Sequence, residues 1–193
     1  MTKGRMEAFS DGVIAVIITI MVLEMKAPHG AGIVALRPLV PTLFSYVLSF
    51  IYVGIYWNNH HHLLHAAQHV TGGILWANLH LLFWLSLTPF ATAWMGENDF
   101  ASWPVAFYGM LLLLAAIAYS ILTRTLIARH GNESTLAESI GGDRKGKVSL
   151  VIYAVAIPLS FLYPWIACGL YALVAVMWLV PDPRIERTLA KER

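Results

Sequence analysis

The sequence predicts an all-α, polytopic membrane protein with six transmembrane helices per subunit, and three observations carry that reading. Hydrophobic residues make up 58% of the chain and charged residues only 12%, whereas a soluble domain carries roughly 25% charged residues. Six apolar stretches follow one another at residues 8–25, 39–58, 73–94, 103–126, 148–163 and 165–180. Most approach the roughly 20 residues that a helix needs to cross the hydrocarbon core. The third observation is where the basic residues lie. With both termini in the cytoplasm, the inner segments hold Lys3, Arg5, Arg124, Arg129, Arg144, Lys145, Lys147, Arg184, Arg187, Lys191 and Arg193, and the outer loops hold Lys26 and Arg37. Eleven against two is the asymmetry expected of cytoplasmic loops, and an odd number of spans would split these clusters. Residues 1–193 therefore read as one six-helix domain in the plasma membrane, with the lipid bilayer as its solvent.

The elements follow in order. Lys3 and Arg5 resemble the start of a signal peptide, but Glu7 and Asp11 intrude on the apolar run and Lys26-Ala27-Pro28 is a poor cleavage site, so the first helix is expected to be retained. Trp94 and Trp103 bracket an outer loop carrying Glu97 and Asp99, as amphipathic rings at a membrane interface do. Arg129–Lys147 is expected as a cytoplasmic loop, where the Asn132-Glu133-Ser134 sequon has no meaning. Pro158 and Pro164 mark the last two stretches as a tight helical hairpin. Cys168 cannot form an internal disulfide, being the only cysteine, and reads as a small buried hydrophobe. A net charge of +2 points to no nucleic-acid partner.

Helix one carries the functional signal. A carboxylate such as Asp11 inside a membrane helix costs about 2.5–3.5 kcal/mol at the centre, and less near an end. Ser10 and Asp11 can serve as N-terminal caps; alternatively, with Arg5, Glu7 and Phe9 they form a polar network packed against other helices. Further along, Val16, Thr19 and Leu23 share one face at i, i+3 and i+7. In a monomer this stripe does little, and threonine in an apolar helix often bonds its own backbone. In a symmetric oligomer each position becomes a ring: Val16 and Leu23 make a hydrophobic constriction, and Thr19 hydroxyls replace part of an ion's hydration shell.

Arg5-x-x-x-Phe9-Ser10-Asp11, at the start of the first of six spans, resembles the signature of the transmembrane protein 175 family of potassium channels. The resemblance covers the length and layout of the whole chain, with specific motifs in helix one and in the Asn/His run that ends helix two. It implies a homotetramer of six-helix subunits with helix one lining a central pore, potassium ions as the permeant species, and no cofactor. It also implies that Val16, Thr19 and Leu23 are the pore-lining and selectivity positions. The chain departs from the family pattern at Val16, where leucine or isoleucine is common, so the identity of the narrowest ring stays open.

The run Trp57-Asn58-Asn59-His60-His61-His62 with His65 and His69 invites a metal site, since His61, His65 and His69 stack at i, i+4 and i+8. No cysteine or carboxylate lies nearby in sequence, so no metal is expected. The resemblance instead implies a structural network of Arg5, Phe9, Ser10 and Asp11 with Asn59, His61, His62 and, beside Asn78 in helix three, His80. Solvated or interfacial histidines are the plainer reading. No Gly-x-Ser-x-Gly, Walker or His-Glu-x-x-His motif occurs, so no enzyme is expected. The chain also lacks a Thr-Val-Gly-Tyr-Gly filter and the arginine repeat of a voltage sensor. The alternative from another class is a proton- or cation-coupled secondary transporter using Asp11 and the histidines.

Overall fold

The computed structural model describes residues 2–65, 67, 69–130 and 144–179, and every regular element among them is helical. α1 spans Lys3–Leu23, α2 Val40–His65, α3 Gly72–Ser86, α4 Thr88–Glu97, α5 Ser102–His130, α6 Arg144–Leu159 and α7 Pro164–Leu179; a 3-10 segment, Ile33–Leu39, leads into α2. The sequon at Asn132 and the basic residues Arg184, Arg187, Lys191 and Arg193 lie outside the described residues.

Lys3–Leu23, Ile33–His65, Gly72–Glu97 and Ser102–Ala128 are each long and apolar enough to cross a membrane. The third of these is two helices end to end rather than one. Pro89 offers no N–H and its ring crowds the carbonyl of Leu85, so the ladder breaks at Leu87 and restarts as α4 with the proline in its first turn. The Leu87 N–H falls back to the Trp84 carbonyl at 3.2 Å. α6 and α7 have 16 residues each, so each reaches about 24 Å at the usual rise per residue. They complete the six-helix bundle as a hairpin. In its turn the Phe161 N–H donates to the Pro158 carbonyl and the Tyr163 N–H to that of Leu159, at 3.2 and 2.8 Å. Pro164 then opens α7, where its missing N–H costs nothing.

Lipid gives apolar side chains little reason to cluster, so membrane helices associate through close packing and interhelical hydrogen bonds. Both are present. One core joins Ile14 and Ile17 of α1 to Leu64 of α2, Leu81 of α3 and Leu122 of α5. A second joins Tyr52 of α2, Met95 of α4, Tyr108 of α5, Tyr153 of α6 and Tyr171 of α7. Its hydroxyls bind the helices together: Tyr52 donates to the Tyr171 carbonyl at 2.6 Å, and Tyr171 to the Val105 carbonyl at 3.2 Å. α1 packs on α2, α3 and α4, whereas α7 packs on α2, α5 and α6.

The approach of α4 to α2 needs a glycine. A Cβ on Gly96 would stand 2.6 Å from both Ser45 Oγ and the Thr42 Cα. Gly96→Ala is therefore expected to push α4 off α2 and destabilise the protein by about 1–3 kcal/mol. The thermal midpoint of the detergent-purified variant checks this, and a midpoint equal to wild type would show that the helices yield without strain.

Candidate functional site: the first helix and its polar anchor

α1 has two faces. Met6, Ser10, Ile14, Ile17 and Met21 recur every three or four residues and are buried against the bundle. The opposite stripe, Phe9, Gly12, Val16, Thr19 and Leu23, is exposed within the subunit, with Val16 at 54% and Leu23 at 76% accessibility. Thr19 Oγ1 donates to the Val16 carbonyl at 2.9 Å. That bond uses the only hydroxyl proton and leaves both oxygen lone pairs as acceptors, on a side chain that shares the exposed face. Back-bonding and ion coordination are thus compatible at Thr19, because the first needs the proton and the second needs the lone pairs.

The entrance of α1 is tied to its neighbours by a buried relay. His60 Nε2 lies 2.7 Å from Asn78 Oδ1, Asn78 Nδ2 donates to Ser10 Oγ at 2.9 Å, and Ser10 Oγ donates to the Met6 carbonyl at 2.9 Å. An amide oxygen only accepts, so His60 carries its proton on Nε2 and every bond points from α2 through α3 to α1. All three side chains are buried, and among the described residues His60 Nδ1 has no hydrogen-bond partner. Around the relay lie three further contacts between α1 and α2. Trp57 Nε1 donates to Asp11 Oδ1 at 3.0 Å, Glu7 Oε1 lies 3.2 Å from His61 Nδ1, and Lys3 Nζ donates to the His65 carbonyl at 2.8 Å. The His61 ring stacks with both Trp57 and His65.

Of the residues singled out from sequence, Ser10, Asp11 and His61 meet partners across helices. Arg5 and Phe9 are exposed at the same end of α1. Asn59 donates to the Ile55 carbonyl of its own helix, and its backbone carbonyl accepts the Tyr119 hydroxyl at 3.3 Å. His62 packs edge-on against the His61 ring. His80 faces outward and accepts from Trp84 Nε1, one turn along the same helix, at 2.9 Å. Among the described residues, no group of three or more His, Cys, Asp or Glu side chains is arranged to hold a metal ion. Sequence reasoning named Trp57 and His60 only as members of the Asn/His run and placed neither in the network. The signal for His60 was its register: with Val53 and Leu64 it falls on the buried stripe of α2, whereas His61 falls outside it.

These features define a class: an all-helical membrane bundle whose first helix is pinned at one end by a His–Asn–Ser relay and presents a Val–Thr–Leu stripe outward. Residues 5–89 match the model of the family described as endosomal/lysosomal potassium channel TMEM175. A potassium channel of Chryseobacterium sp. (strain P1-3) is 57% identical over 189 residues, covering 98% of each chain. A potassium channel of Streptomyces collinus is 35% identical over 128 residues, covering 62% of each. The crystal structure of a lysosomal potassium-selective channel TMEM175 homolog from Chamaesiphon minutus superposes with a TM-score of 0.80 at 29% identity, covering 92% of this chain and 96% of that one. The chain belongs to the TMEM175 family.

Proposed function

We propose that the protein is a potassium-permeable channel of the plasma membrane, a homotetramer in which α1 lines a central pore and both termini face the cytoplasm. The observation that carries this reading is the opposition of faces on α1: one stripe is buried in its own bundle, and the other, Val16–Thr19–Leu23, is left for neighbouring copies. The relatives described above bear potassium-channel names, which supports the same reading. In the tetramer Val16 and Leu23 form apolar constrictions, and the Thr19 ring supplies hydroxyl oxygens to a partly dehydrated potassium ion. Selectivity over sodium is modest, because one hydroxyl ring surrounds an ion less completely than stacked carbonyls do. Arg5 and Phe9, exposed within the subunit, meet adjacent copies at the pore entrance. The buried relay, together with Asp11 and His61, holds α1 at the depth that places these rings.

The test is a cysteine scan in a Cys168→Ala background. Val16→Cys and Leu23→Cys are expected to cross-link subunits into disulfide dimers under mild oxidation, since rings on an axis bring identical residues together. Val151→Cys, exposed on α6, is expected to stay monomeric on a denaturing gel. Proteoliposomes of the parent protein are expected to pass potassium down its gradient without a co-ion. Strict coupling of that flux to protons would replace the channel with the transporter reading.

A further inference from the structure

α1 packs on both α2 and α3, while α2 and α3 pack chiefly on other helices. The two therefore flank α1, and each turns one side away from the bundle. On α2 that side carries Gly54 and Asn58, one turn apart; on α3 it carries His80 and Phe83. Asn58, His80 and Phe83 are exposed within the subunit. A Cβ on Gly54 would meet nothing within 4 Å, so open space lies over α2 at that point.

Lipid supplies no hydrogen-bond partner, so asparagine and histidine in membrane helices bond across to other helices. Here both have unused capacity. Among the described residues the Asn58 side chain makes no hydrogen bond, although Asn59 beside it bonds back to the Ile55 carbonyl. His80 Nε2 accepts from Trp84 Nε1 at 2.9 Å, so the neutral ring carries its proton on Nδ1. Among the described residues that Nδ1–H has no acceptor.

The two groups also share a depth. The 2.7 Å contact of His60 with Asn78 fixes the level of α2 against α3. α3 follows α2 in the chain and runs the opposite way. Asn58 and His80 therefore stand on the same side of that level, each two residues or about 3 Å from it. Gly54 and Phe83 lie further in the same direction, about 9 and 8 Å from it. Rotation about an axis along the membrane normal preserves depth. With α1 at such an axis, the α2 flank of each copy comes against the α3 flank of the next.

We propose that neighbouring copies join through these flanks: His80 Nδ1–H donates to Asn58 Oδ1 of the next copy, and Phe83 seats over Gly54 of that same copy. This rests on the proposed homotetramer with α1 at its axis. Hydrogen bonds between membrane helices are individually weak, so the pair selects which surfaces meet and in what register, with little effect on the thermal midpoint.

The test uses the full chain in the Cys168→Ala background. Asn58→Cys with His80→Cys, treated with a short bifunctional methanethiosulfonate, is expected to give a ladder up to tetramer on a denaturing gel. Each cysteine alone is expected to stay monomeric, because the contact is head to tail and identical residues do not meet. Gly54→Leu meets no clash in its own subunit and improves helix propensity, yet fills the seat of Phe83. It is expected to keep the helical content and to lower the tetramer population in native mass spectrometry at least about tenfold. Val16→Cys dimers without the ladder would overturn the flank contact and leave the pore reading standing. The ladder without Val16→Cys dimers would support the contact and remove α1 from the axis. Cross-linking of Asn58→Cys alone, or a wild-type tetramer population in Gly54→Leu, would also overturn the proposal.

Discussion

Val16→Phe is expected to lower potassium current by at least about tenfold with the proposed tetramer intact, a drop that needs a barrier raised by only about 1.4 kcal/mol. Val16 is more than half exposed in its own subunit, so the larger ring meets no clash there and is directed at its copies across the proposed axis. A narrower apolar ring strips water from an ion and supplies no ligand in return. Thr19→Ala works the other way. It removes the oxygens of the hydroxyl ring, keeps good helix propensity, and is expected to lower the preference for potassium over sodium while current is largely retained. Thr19→Ser keeps both the hydroxyl and its bond to the Val16 carbonyl, and should preserve the ratio. Bilayer currents and reversal potentials read all of these variants. Wild-type conductance in Val16→Phe would move the pore wall to one side of the exposed stripe, towards Ile20 or, on its other side, Val22, because Ile17 and Met21 are committed to the core.

Asn78→Leu is expected to destabilise the protein by about 1–3 kcal/mol, because it leaves the buried His60 Nε2–H without an acceptor. Ser10 loses its donor but keeps its own bond to the Met6 carbonyl, so the damage centres on the histidine. At about 2–4 °C per kcal/mol for a chain of this length, the thermal midpoint in detergent falls by several degrees. His80→Phe, on the outward side of the same helix, is expected to change stability by no more than about 0.5 kcal/mol. Similar midpoints for the two variants would mean that the relay does not hold α1 in place.

The sequence made the helices plain because lipid imposes a demand that composition alone reveals: long uncharged runs, with basic residues gathered between alternate pairs of them. Pro158 and Pro164 marked the hairpin for the same reason that they shape it. Pro89 was equally visible, yet its effect was missed, since the apolar run continues unbroken past it and hydropathy is blind to backbone hydrogen bonds. At the site, Ser10 and Asp11 stood out as polar groups in an apolar helix. Their partners were harder to identify. Consecutive histidines carry the same chemistry, and only the rotation of α2 against α1 and α3 decides that His60 faces inward while His61 meets Glu7. Asn78 and His80 posed the same ambiguity two residues apart, and it was resolved in favour of the asparagine by the face on which Leu81 and Leu85 are buried.

If α1 lines the pore as proposed, its buried face also bears on the pore's width. The side chains that meet the ion in the proposed pore are Val16, Thr19 and Leu23, but how far they project is set from behind, by how deeply Ile14, Ile17 and Met21 seat in the bundle. Trimming Ile17 would let the helix settle outward from the axis and open every ring without touching a lining atom. In the proposed pore, calibre thus depends on the subunit core as well as on the size of the lining side chains, whereas ion preference depends on the exposed face alone.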